Sequence, residues 1–184
     1  MTERTRGQIR VVALVIVGFL IQTTLGSDLR VEHVAPDLML LLAICAGLYG
    51  GARQGVLVGF ACGLLSDLFL TNTPLGLAAL TYCLVGYGVG TLAATLLPAG
   101  RGLVPLIVFV SSVIGIVAFL VLGDLVGHSP LPQGSRMMLV RTVTIEALAN
   151  SVLSLPVAWL YERCARGTEG AAEIVRGSAE SVFQ

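Results

Sequence analysis

The chain has few charged residues, few aromatic residues and no lysine. Only 12% of its 184 residues are charged and 6% are aromatic, and all 11 basic residues are arginines. So low a charge content excludes an ordinary soluble domain. The formal net charge is zero, so the chain has no general electrostatic attraction to nucleic acid, and no nucleic-acid partner is expected.

Residue patterns that carry catalysis or bind metals are also missing. The four cysteines have neither metal-binding nor redox spacing, and the two histidines, His33 and His128, stand alone in polar stretches. The sequence contains no glycine-rich phosphate loop, nucleophile elbow or metal-binding histidine pair. We therefore expect no enzyme activity, no catalytic residue, no metal and no cofactor.

What the chain does have is apolar sequence. Hydrophobic residues make up 55% of it and the mean hydropathy is +0.90. Because a membrane-spanning helix needs about 20 apolar residues, these runs predict an all-α integral membrane protein of about six transmembrane helices. The second run is short, with only 14 residues. The six runs cover residues 11–25, 36–49, 55–70, 75–97, 103–126 and 137–161.

The arginines predict how the chain is oriented. With six spans and a cytoplasmic amino end, eight arginines lie inside and three outside, which agrees with the positive-inside rule. The sequence thus predicts one polytopic membrane domain over residues 1–161, in contact with membrane lipid. Residues 162–184 are expected to form a short cytoplasmic tail, frayed or bound to the membrane surface.

A stripe of small residues is the most regular pattern in the chain. Glycines recur every four residues and lead to an aspartate, as Gly51, Gly55, Gly59, Gly63 and Asp67. Gly86 and Gly90, in the next apolar run, offer a second small-residue surface. Such spacing lets another helix approach closely. That helix can belong to this chain, to another protein or to a second copy in a homodimer.

Asp67 needs a partner, because a carboxylate at membrane depth is costly unless it faces protein or water. It lies near the predicted outer end of its helix. There it can accept hydrogen bonds from the polar turn 71–73, contact a neighbouring or partner helix, or take part in proton or ion transfer. Of these three roles, local structural anchoring by hydrogen bonds from the turn is favoured.

A polar seam runs along the last apolar run. Glu146, Asn150 and Ser154 lie four residues apart and so share one helix face. Arg141 is close enough along the chain to pair with Glu146. The seam is expected to be a hydrogen-bonded contact between helices, although a transporter could use such a face. Pro156 is expected to kink or end this helix.

Several of these features, taken in order, resemble the rod shape-determining protein MreD family. The likeness covers most of the chain, and its specific part lies within residues 36–90. Its elements are Pro36-Asp37 followed by leucines, Gly59-Phe60 with Gly63 and Asp67, Leu75-Gly76, and a last helix with Asn150, Pro156 and Arg163.

The resemblance implies a non-enzymatic scaffold of the bacterial elongation (rod) complex in the plasma (inner) membrane. Such a scaffold maintains cell shape during peptidoglycan synthesis by binding an MreC-like single-span protein and the RodA and class B penicillin-binding protein complex. An MreB-like cytoplasmic filament would be a further partner, facing the loops that carry Arg53 and Arg101. The glycine faces would receive helices and Asp67 would fix their outer end, so Gly59→Leu or Gly63→Leu is expected to abolish partner co-purification.

The family is also similar in architecture to the S components of energy-coupling-factor transporters. This similarity keeps a second function open, namely a small-molecule-binding S component or small transporter subunit. Its ligand pocket would be lined by Asp67, Glu146 and Asn150.

Overall fold

The computed structural model describes residues 3–25, 36–69, 74–96, 101–127 and 136–182. Within these ranges the chain forms α-helices and one short 3-10 turn at Arg101–Leu103, with no strand. The predicted all-α architecture is therefore confirmed. The helices are α1 (Glu3–Leu25), α2 (Leu38–Phe69), α3 (Leu77–Leu96), α4 (Val104–Leu125) and α5 (Arg136–Val182).

Four of the five described helices are long and apolar enough to cross a membrane. These are α1, α2, α4 and α5, whereas the apolar part of α3, Leu77–Ala93, is shorter. Large apolar side chains face outward, as at Val12 (57% exposed) and Val152 (75% exposed). Outward apolar faces suit a lipid solvent, so the chain is a multi-pass membrane protein. The count of six spans stays a prediction.

The helix α2 folds back on itself at Gly51. This residue has φ 74° and ψ 179°, a conformation that glycine adopts without the steric cost of a side chain. A Cβ atom added to Gly55 would lie only 2.9 Å from the Cα atom of Gly47, whereas eight residues of straight helix extend about 12 Å. Residues 38–50 and 52–69 are therefore two segments, which correspond to the predicted second and third runs.

The first of these segments lies at the centre of the bundle. Every residue from 39 to 48 is buried, and α1, α3, α4 and α5 all contact α2. A helix that is apolar on all sides is stable only when it is surrounded. Its 13 residues extend about 20 Å, less than the roughly 30 Å of a bilayer core. The short second run is therefore a protein-enclosed helix.

The last helix is longer than the sequence analysis predicted. A helix end near residue 161 was expected, but α5 continues to Val182 and contains Pro156 in its interior. Residues 162–182 are rich in alanine, glutamate and arginine, which favour helix. The predicted cytoplasmic tail thus begins as a continuation of α5.

Candidate functional site

The glycine stripe lies against α3 in the folded chain. A Cβ atom added to Gly55 would lie 2.2 Å from the carbonyl oxygen of Gly86, and one added to Gly86 would lie 2.4 Å from the oxygen of Gly55. The two helix backbones are therefore in direct contact, which only glycine at both positions permits.

The same close approach continues along both helices. An added Cβ atom would lie 2.5 Å from the Tyr82 oxygen at Gly59, and 2.4 Å from the Cα atom of Ala79 at Gly63. At Gly90 it would lie 2.4 Å from the backbone nitrogen of Ala52. A foreign helix cannot reach this face unless α2 and α3 first separate.

Gly51 differs from the rest of the stripe. A Cβ atom added there would have no atom within 4 Å. Its left-handed φ interrupts the helix, so the residue lies in the turn between the two segments of α2. Its backbone still takes part in the close approach, because a Cβ atom added to Gly90 would lie 2.6 Å from the carbonyl carbon of Gly51. The packing role of Gly51 stays a prediction.

Asp67 fastens the end of α2 to the start of α3. Its carboxylate accepts hydrogen bonds from the backbone amides of Gly76 (2.9 Å), Ala78 (3.0 Å) and Ala79 (3.1 Å). The side chain is only 3% exposed. It therefore caps the positive end of α3, where a carboxylate is most stable. The partners expected in the turn 71–73 lie outside the described residues.

Asp37 performs the same role for the central segment of α2. Its Oδ1 atom accepts the amides of Met39 and Leu40, both at 3.0 Å. The amide of Leu38 donates to Oε1 of Gln22 on α1 at 2.7 Å. The Tyr82 hydroxyl donates to the second carboxylate oxygen of Asp37. The first turn of a helix enclosed by protein thus has its amides satisfied by side chains, as a low-dielectric surrounding requires.

A cavity of about 190 Å³ lies beside Asp37. Three of its lining side chains are polar and come from distant parts of the chain: Asp37, Tyr82 and Glu146. The rest of the lining is apolar. The other lining residues are Leu40, Gly115, Ile116 and Phe119. We refer to this space as the polar cavity.

The polar seam divides into two parts. Glu146 faces the polar cavity, whereas Asn150 and Ser154 are completely buried. Asn150 donates from Nδ2 to the Ser112 hydroxyl of α4 at 3.3 Å, and Ser154 donates to the Ser151 carbonyl at 2.6 Å. The deeper part of the seam is therefore structural, with Asn150 joining α5 to α4.

The pocket predicted for a ligand-binding function has a different lining from the one expected. Of Asp67, Glu146 and Asn150, only Glu146 lines the polar cavity. Asp37 and Tyr82 were not predicted as cavity residues. The signals for them were weak: an aspartate opening a run too short to span, and a tyrosine hydroxyl inside an apolar helix, where it needs a partner.

Asp37 and Asp67 accept hydrogen bonds that hold the helices in place. In the parts of the chain that the structure describes, no three histidine, cysteine or acidic side chains come together as metal ligands would. Each of Asp67 and Asp37 is held by backbone amides at a helix start. The acidic side chains therefore serve helix capping and the polar cavity.

A lipid-facing helical bundle with a protein-enclosed central segment defines a polytopic integral membrane protein. Residues 3–164 match the family model of the rod shape-determining protein MreD, so the chain belongs to the MreD family. It is accordingly a rod shape-determining membrane protein, and the resemblance drawn from its motifs is confirmed. No curated protein and no solved structure matches the chain.

Proposed function

We propose that the chain is a non-enzymatic scaffold of the bacterial elongation complex in the plasma membrane. It binds an MreC-like single-span protein and the RodA and class B penicillin-binding protein complex, with an MreB-like filament as the cytoplasmic partner. The observation that carries this proposal is family membership over residues 3–164. A scaffold role agrees with polar side chains that cap and join helices.

Partner helices meet the bundle on its outward apolar surface. The glycine stripe is already in contact with α3. A partner helix would therefore bind a surface other than the glycine stripe. The most open spanning helix is α1, with only 22% of residues 7–24 buried. Gly63→Leu then acts on folding rather than selectively on partner binding.

The arginine-bearing end of the bundle faces the cytoplasm in this proposal. The Tyr161 hydroxyl of α5 donates to Oε1 of Gln54 at 3.1 Å. This contact brings the turn at Gly51 close to α5, together with the exposed Arg53 next to Gln54. Arg163 lies 4.0 Å from the ring centre of Trp159. Tryptophan and arginine are favoured at a cytoplasmic membrane boundary. This orientation, with six spans, leaves both termini cytoplasmic.

The proposal is tested by purifying an epitope-tagged chain in mild detergent from its native bacterium and identifying the proteins recovered with it. We expect the MreC-like protein and the cell-wall synthases. As a control, the tag is placed on an unrelated multi-pass protein of the same membrane. Recovery of an ATPase pair with a coupling subunit, in place of these partners, would contradict the scaffold function.

A second candidate is the small-molecule-binding subunit of a transporter. The polar cavity favours it, because three polar side chains line one space. Against it, about 190 Å³ is below the roughly 300–1,000 Å³ of typical pockets for drug-sized ligands. The same purification separates the two candidates by the partners recovered.

A further inference from the structure

The polar cavity has two acidic groups and no basic group in its described lining. We propose that it binds a primary ammonium group, with Glu146 and Asp37 as the acceptors. The inference does not depend on which proteins the chain assembles with. The observations that support it are the hydrogen bonds around the cavity, the residues that line it and its size.

Asp37 and Glu146 differ in the number of hydrogen bonds that they accept. Asp37 has both oxygens in use, Oδ1 with two backbone amides and Oδ2 with the Tyr82 hydroxyl. Glu146 makes no hydrogen bond to any residue that the structure describes. A cation bound between the two carboxyl groups would stabilise their charged forms, which burial otherwise disfavours. An ammonium group has several N–H donors, so it can donate to Glu146 and to Asp37 at the same time.

The apolar part of the lining favours an organic cation over a metal ion. Leu40, Ile116 and Phe119 also line the cavity, where they can contact an alkyl chain. The Phe119 ring adds a face that attracts cations. The space of about 190 Å³ exceeds the roughly 150 Å³ of an apolar cavity that accepts benzene. A bare metal ion would leave most of this space empty.

A second unsatisfied acceptor lies one helical turn further along α5. Asn150 is completely buried, and its Oδ1 atom has no hydrogen-bond partner in the described part of the chain. It shares a helix face with Glu146, four residues away. Buried polar atoms in native structures are nearly always paired. Asn150 does not line the polar cavity, so this acceptor is separate from the proposed ammonium site.

The first test uses the wild-type protein in nanodiscs of phosphatidylcholine, with propylammonium and neutral 1-propanol as size-matched probes. We expect propylammonium at about a hundredfold excess over its Kd to raise the unfolding midpoint by about 5 °C, and 1-propanol to leave it unchanged. Equal shifts with the two probes, or none with either, would overturn the proposal.

The second test compares two variants that each remove one carboxyl charge. Glu146→Gln keeps the side-chain shape at the cavity, and Asp124→Asn changes an exposed carboxyl of α4 that does not line it. We expect the propylammonium shift to be lost in the first and retained in the second. A full shift in folded Glu146→Gln would exclude Glu146 as an acceptor. If that variant does not fold, the probe comparison on the wild type decides alone.

The ammonium group can come from a phosphatidylethanolamine headgroup or from a free amine. Nanodiscs with and without phosphatidylethanolamine distinguish these sources. If the lipid raises the midpoint by itself and removes the further effect of propylammonium, the occupant is the headgroup. If the propylammonium shift persists unchanged in its presence, the occupant is a free amine.

Discussion

The α2–α3 contact and the polar cavity differ in how their polar atoms are hydrogen-bonded. Along α2 and α3 the backbones touch at Gly55 and Gly86, and the Asp67 carboxylate accepts three amides. On α5, Glu146 at the cavity and the Oδ1 atom of Asn150 one turn beyond it accept no hydrogen bond from the described residues. In the first region the described residues supply both donors and acceptors, whereas in the second we propose that a bound ammonium group supplies the donors.

The difference shows where function is to be sought in such a bundle. The glycine stripe and Asp67 are the most conspicuous features of the sequence, yet their contacts lie within the chain. The polar cavity is formed by side chains that no spacing rule connects. The most conspicuous spacing in the sequence thus reports contacts within the chain.

The largest effect is expected from adding a side chain at the α2–α3 contact. Gly63→Leu would force atoms into the space of the Ala79 backbone and should cost about 3 kcal/mol or more in the free energy of unfolding. The matched control is Gly88→Leu on α3, where an added Cβ atom has nothing within 4 Å. Unfolding by denaturing detergent measures both. Equal stability of the two variants would refute the close contact.

A smaller loss is expected when the cap of α3 is weakened. Asp67→Asn removes the charge from an acceptor of three amides and should lower the free energy of unfolding by about 2 kcal/mol. Asp124→Asn changes an exposed carboxyl and serves as the control. The same unfolding measurement applies, and similar losses in both variants would argue against the cap.

The turn between the two α2 segments provides a conformational test. Gly51→Ala places a side chain at φ 74°, which should cost about 1.5 kcal/mol. Gly88→Ala, at a helical position with open space, should be neutral or slightly stabilising because alanine favours helix. Thermal melting of the two purified variants checks the difference. A neutral Gly51→Ala would contradict the positive φ.

The smallest effect is expected at the boundary between the two regions. Tyr82→Phe removes the hydroxyl that donates to Asp37 and should cost about 1 kcal/mol in the free energy of unfolding. Tyr87→Phe changes an exposed residue of the same helix and should cost less than half as much. If the two variants melt at the same temperature, the Tyr82 hydroxyl contributes nothing to stability.

Much of the fold could be predicted because hydrophobic runs report helices directly. The runs at 36–49 and 55–70 correspond to the two segments of α2, since Gly50 and Gly51 separate them. The extension of α5 beyond residue 161 was not predicted, because a polar helix has no apolar run to mark it. Pro156 suggested an earlier end, but α5 continues through it.

The site was harder to predict because it is formed by tertiary contacts. Spacing placed Glu146 and Asn150 on one helix face correctly, but it gave no information about the helices opposite them. Asp37 and Tyr82 are 45 residues apart, and no local pattern joins them. Asp67 was expected to act as an anchor within its turn, and its donors are the amides of Gly76, just before α3, and of Ala78 and Ala79 in α3.

The central claim is that the chain acts by direct contact with other membrane proteins. Purified chain in nanodiscs, mixed with the purified MreC-like protein alone, tests this claim by light scattering without nucleotide or synthase. The account predicts a saturable complex of defined mass. If the two proteins stay separate at concentrations where each is folded, while a transporter coupling subunit binds the chain, the account is wrong.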